Sequence, residues 1–118
     1  MKKVLLVSKN KRVIENITMV FNASIHSELC LLSLSRYENI GEDINEFGAN
    51  IIVIDMTGGK QAEIQLLYDF LADKKEIKCV ALIDDNRTER ESTEMVFDGC
   101  MEYIKITEEL CEVLSRYA

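Results

Sequence analysis

The chain has 118 residues, 47% of them hydrophobic and 30% charged, with a formal net charge of −7. That length supports a core without staples, so the expectation is one domain over residues 1–118. The acidic balance argues against a nucleic-acid or anionic-membrane surface, since both need basic patches, and no apolar run approaches the roughly 18 residues of a membrane span.

Met1-Lys2-Lys3 before Val4-Leu5-Leu6-Val7 has the outline of a signal peptide, but Ser8-Lys9-Asn10-Lys11-Arg12 cuts the apolar segment too short. Cys30, Cys79, Cys100 and Cys111 show no CxxC pair. Free thiols in a reducing cytoplasm are the expectation, with neither metal nor cofactor.

In chain order, Lys3–Val7 reads as a strand buried on both faces. Val13, Ile14, Ile17, Val20 and Phe21 then lay one apolar stripe on a helix from about Asn10 to Asn22. Leu29–Leu32 is a second strand. Asn39–Phe47 is a short helix, with Asn39 in the N-cap position and Gly48 at its C-terminal end.

Ile51–Ile54 is a β-branched run of the kind found in a parallel sheet covered by helices. It ends in Asp55, and Met56-Thr57-Gly58-Gly59 break the regular structure. In open α/β sheets, chemistry gathers just beyond the carboxyl ends of strands. Asp55 is therefore either a working group or the remnant of one.

Ile64, Leu67, Tyr68 and Leu71 mark a third helix from about Lys60 to Lys74, with Lys74 and Lys75 complementing its negative end. Ile77–Ile83 is a fourth strand, closed by Asp84-Asp85-Asn86. Thr88-Glu89-Arg90-Glu91 reads as a capping box opening a fourth helix that Gly99 ends. Met101–Ile106 makes a fifth strand, and Thr107 caps a last helix carrying Leu110, Val113, Leu114 and Tyr117. Alternating β-α units of this kind predict a doubly wound parallel sheet with helices on both faces and right-handed crossovers.

Ile-Ile-Val-Ile-Asp-Met at 51–56 and Asp-Gly-Cys-Met-Glu-Tyr-Ile at 98–104, in a β-α series spanning the whole chain, resemble the CheY-like receiver domains of response regulators. The second segment is similar to the family's usual "aGAddYl". The resemblance implies a flavodoxin-like, five-stranded sheet of order 2-1-3-4-5. It also implies that Asp55 is the phospho-acceptor position.

The remaining family landmarks depart from the pattern. The family holds Mg²⁺ with acids after the first strand, reading roughly "VDDD", whereas this chain reads Val7-Ser8-Lys9-Asn10. Acyl-phosphate chemistry needs a divalent cation to neutralise the carboxylate and the phosphoryl group. Octahedral Mg²⁺ needs carboxylates besides waters. A serine and a lysine at Ser8 and Lys9 make a poor cage, and Mg²⁺ affinity is expected to be largely lost. The family's phosphate-bonding Thr/Ser falls on Ile83 or Asp84, according to register. Its lysine falls on Lys105, which arrives one residue early when counted from Tyr103, and a slip of one residue turns a strand side chain to the other face. The "KP" pair and the "MP" turn are absent. The chain looks like an atypical, or pseudo-, receiver.

Several residues carry two readings. Lys9 either pairs with Asp55, standing where the metal would sit, or points into solvent. Asp84 and Asp85 either recruit a cation in a rearranged site or are solvated turn formers. Gly58-Gly59-Lys60 either cradles an anion at a helix start or supplies positive φ. Asp55-Met-Thr57-Gly58-Gly59 also resembles the nucleophile motif of haloacid-dehalogenase-type phosphotransferases, which need further acids in a longer chain. His26 has no partner base at motif spacing. Tyr103 is either the family's switch aromatic or a rim residue packing on the fourth helix.

The favoured expectation is a non-enzymatic protein-interaction module of signal transduction. The resemblance implies docking through the fourth helix, fifth strand and last helix: Thr88–Glu94, Tyr103 and Thr107–Ala118, acidic with apolar insets. Such a face suits a basic partner surface or a homodimer. Competing expectations are a true phospho-switch on Asp55 through a rearranged metal site, and a small ligand-binding or phosphotransfer protein on a flavodoxin-like sheet.

Overall fold

In a computed structural model, residues 2–23, 29–36, 38–56, 61–72, 74, 76–83, 99–102 and 112 are described. The elements are β1 (Lys2–Val7), α1 (Lys11–Ala23), β2 (Leu29–Leu34), α2 (Ile40–Phe47), β3 (Ile51–Asp55), α3 (Gln61–Leu71), β4 (Lys78–Ile83) and β5 (Gly99–Glu102). The strands pair in parallel in the order β2-β1-β3-β4-β5. A parallel sheet covered by helices is the architecture the apolar runs imply.

Side-chain alternation along the strands divides the core into two layers. Val7, Ile52, Ile54, Ala81 and Ile83 pack under Ile40 and Ile44 of α2 and Leu67 and Leu71 of α3. Leu6, Ile51, Val53, Val80 and Leu82 pack under Val13 and Ile17 of α1. The sheet is thus buried on both sides, which explains why its strands are unbroken apolar runs rather than alternating ones. Each fully buried Ile or Leu contributes about 1.5–3 kcal/mol of transfer free energy.

Register is pinned at the entry to β3. The Lys3 N–H donates to Asn50 Oδ1 and the Asn50 N–H donates back to the Lys3 carbonyl, both at 2.8 Å. The Asn50 carbonyl accepts the Lys78 N–H at 3.0 Å. One residue therefore ties β1, β3 and β4 together at the end of the sheet away from Asp55.

The structure corrects several expected boundaries. Gly99, expected at a helix end, opens β5 opposite Val80, and the helix expected before it lies outside the described residues. A glycine at a strand start loses little, and β4, buried from Cys79 to Ile83, offers it a ladder. The rest of the expected fifth strand lies outside the described residues. β2 runs on to Leu34 because Ser33 and Leu34 still have Leu6 and Val7 to pair with. The α3 helix stops at Leu71 rather than Lys74. Lys74 lies beyond it with Nζ 4.8 Å from the Phe70 ring centroid, so its cation meets an aromatic face.

Asn39 occupies the N-cap position of α2, yet it is left-handed (φ 55°, ψ 32°) and makes no side-chain capping bond. Asparagine tolerates that conformation better than most residues. Arg36 secures this corner instead, donating from Nη1 to the Glu38 carbonyl and from Nη2 to Asp43 Oδ2, both at 2.7 Å. Gly48 ends α2 as expected, with φ 73° and its N–H on the Ile44 carbonyl.

Two substitutions test this packing by urea unfolding. Ile17→Ala, at a 1% exposed position, should cost about 2–5 kcal/mol through lost burial and a cavity. Gly48→Ala should cost about 1–2 kcal/mol by forcing a Cβ into the left-handed region.

Candidate functional site

The site forms where β1 and β3 leave the sheet side by side. Their register pairs Val7 with Ile54, so the following residues, Ser8 and Asp55, come level. Val4 and Leu6, like Ile51 and Val53, face α1. Alternation therefore carries Ser8 and Asp55 to that same face. Both are fully buried.

The Ser8 hydroxyl donates to Asp55 Oδ2 at 2.6 Å. That length belongs to a charge-assisted O–H···O⁻ bond, about twice the strength of a neutral one. Ser8 Oγ also accepts the Asn10 N–H at 3.1 Å. Asn10 Oδ1 in turn accepts the Arg12 N–H at 3.0 Å, capping α1. A short relay thus runs from the Asp55 carboxylate to the first turn of α1. The backbone is held as firmly: the Ser8 N–H donates to the Leu34 carbonyl and the Met56 N–H to the Leu82 carbonyl, each at 3.0 Å.

Of the residues singled out from sequence, Ser8 and Asp55 are brought together directly. Lys9 follows on the rim with an exposed side chain. Ile83 lies in the apolar layer under α2 and α3, on the opposite side of the sheet from Asp55. Asp84, the other choice for the phosphate-contact position, lies outside the described residues. So do Asp85, Tyr103, Lys105, His26, Gly58-Gly59-Lys60, the Thr88–Glu94 segment and all of the last helix except Glu112. Cys30 is half-buried and Cys79 buried, both as free thiols.

No protein-family model matches the chain, and no curated protein does. Solved structures match closely in fold. RcsB, a response regulator of Salmonella typhimurium whose structure concerns DNA interaction, superposes with a TM-score of 0.80 at 10% identity, over 98% of this chain and 60% of RcsB. The chain thus spans less than two thirds of that protein. The chemotaxis response regulator CheY4 of Vibrio cholerae gives 0.79 at 12% identity, over 100% of this chain and 99% of CheY4. A pilus assembly-related protein of Burkholderia pseudomallei gives 0.76 at 16% identity, over 99% and 89%. The fold is that of CheY-like receiver domains.

Receiver-type chemistry would place Mg²⁺ against the Asp55 carboxylate, and the described residues do not fit it. Asp55 Oδ2 is already engaged by a buried hydroxyl, which offers a neutral oxygen where a second carboxylate is needed. Among the described residues no three His, Cys, Asp or Glu side chains converge to hold an ion.

Sequence reasoning identified Ser8 as a degenerate position but missed its two hydrogen bonds, one donated to Asp55 and one accepted from Asn10. The signal was present in the Ser8-x-Asn10 spacing immediately before a helix start. If the relay holds the site together, Ser8→Ala should lower stability by about 1–3 kcal/mol by removing a buried donor from a carboxylate. Ser8→Thr should retain most of that stability. Thermal unfolding of both variants checks the pair.

Proposed function

We propose that residues 1–118 form a single receiver-like domain on a doubly wound five-stranded sheet, working in cytoplasmic signal transduction as a protein-interaction module. On this reading it catalyses no reaction, and Asp55 takes up no phosphoryl group by the Mg²⁺-dependent route. The observation that carries the proposal is the buried 2.6 Å bond from Ser8 to Asp55. A phosphoryl group entering at Asp55 would need a cation to offset two negative centres. The neighbouring position supplies a hydroxyl already committed to the carboxylate, followed by the cationic Lys9.

The receiver fold supports a signalling role, and the −7 net charge disfavours nucleic acid as the partner. No described helix is long and apolar enough to cross a membrane. A protein surface with complementary basic character, or a second copy of this chain, is the partner class proposed for the fourth-helix, fifth-strand and last-helix face.

The retention of a buried Asp at the end of β3 favours one competing reading, phosphorylation through a rearranged site that includes Asp84 and Asp85. Incubation with acetyl phosphate and Mg²⁺, followed by intact mass measurement, separates the two. Unchanged mass is expected. An added phosphoryl group that is lost in Asp55→Ala would overturn the proposal. A companion variant, Ser8→Asp/Lys9→Asp, rebuilds the acid pair and should raise Mg²⁺ affinity at least tenfold by isothermal titration.

A further inference from the structure

Away from Asp55, α2 and α3 leave an open groove of about 260 Å³ between them, lined by Glu38, Ile40, Gly41, Leu66, Leu67 and Phe70. Ile40 and Leu67 are buried and form its floor, while Leu66 is 71% and Phe70 36% exposed. The last two stand four residues apart on α3, one helical turn, so they present a single apolar ridge to solvent. Gly41 lets α2 approach that ridge: a Cβ there would lie 3.0 Å from the Phe70 ring. Leu66 and Phe70 thus form a small exposed apolar patch with a polar rim, the composition of an interaction site.

The rim decides what fits. Glu38 and Glu42 border the groove and are exposed. Neither carboxylate has an ion-pair partner among the described residues, whereas Asp43 on the same helix is neutralised by Arg36 at 2.7 Å. Asn39 and Asn45 add only neutral groups to this side. Among the described residues, the cations near the groove are Arg36, committed to Asp43 and the Glu38 carbonyl, and Lys74, over the Phe70 ring. A second copy of this chain would set Glu38 and Glu42 against themselves across a two-fold axis, like charge on like charge.

We propose that the groove between α2 and α3 docks a basic amphipathic helix of a partner protein. The partner's apolar face rests on Leu66 and Phe70, and its cations lie beside Glu38 and Glu42. This is the helix-in-groove mode, in which apolar anchors supply affinity and the charged rim sets orientation. It rests on the interaction-module reading and adds to it a surface and a partner chemistry.

The test uses the whole ¹⁵N-labelled chain and a synthetic amphipathic helical peptide of leucine and lysine. Saturable amide shifts should centre on residues 38–45 and 62–71 and weaken with added salt. Affinity should fall at least about tenfold in Leu66→Asp and in Glu38→Lys/Glu42→Lys, and a leucine–glutamate peptide should not bind. Met19→Asp, at a 67% exposed site on α1, should bind as the parent does. Shifts centred elsewhere, equal binding of the acidic peptide, or no saturation would overturn the proposal. So would sedimentation showing a dimer that Leu66→Asp dissolves, because the occupant would then be a second copy. The phosphodonor experiment reads Asp55 alone: a silent groove with unchanged mass removes only the docking surface, and an added phosphoryl group removes only the phosphorylation-independent reading.

Discussion

A buried carboxylate needs a donor, and in this chain Ser8 provides one. The 2.6 Å hydroxyl bond to Asp55 answers the cost of taking that acid out of water. The same oxygen receives an N–H from Asn10, so one side chain joins the central strand to the start of α1. A receiver that binds Mg²⁺ meets the same requirement with acids and a metal ion. Here a neutral hydroxyl meets it within the protein itself, without adding a second negative charge.

That arrangement depends on register set at the opposite end of the sheet. Asn50 bonds to Lys3 and Lys78 and fixes where β3 sits between β1 and β4. A slip of one residue would turn Asp55 into the layer under α2 and α3 and bring Ile54 to the Ser8 side. The two apolar layers oppose such a slip, because it would move every inward-facing residue of β3 to the wrong layer. Ile54 and Asp55 are adjacent in sequence and serve different faces, one the core and the other the site.

The central part of this architecture could be read directly from the chain. Ile51–Ile54 has no polar interruption, and only a strand covered on both faces explains such a run. The Val13–Ile17–Val20 spacing likewise fixed which side of α1 is inward. Boundaries were less legible where competing signals are local. Gly99 has the chemistry of a helix end, yet it opens β5 beside β4. Asn39 has the composition of a capping residue, but the Arg36 bonds hold that corner without its side chain. Leu66 and Phe70 were passed over because they lie off the stripe formed by Ile64, Leu67 and Leu71. Periodicity identifies the buried face of a helix and is silent about apolar residues on the other.

The site and the groove lie on opposite sides of the same strand ends. Val7 and Ile54, immediately before Ser8 and Asp55, share a packed layer with Ile40 and Leu67 of the groove floor. In a switching receiver, the phosphoryl group is the ligand that favours one packing over another. A ligand shifts such an equilibrium only by its difference in affinity for the two states. With Asp55 held by Ser8, the proposed module lacks that internal ligand. A partner seated between α2 and α3 would then supply the differential contacts, acting on the shared layer directly. On the proposed reading the chain would respond to the partner bound, with Asp55 and Ser8 holding the strand ends in place.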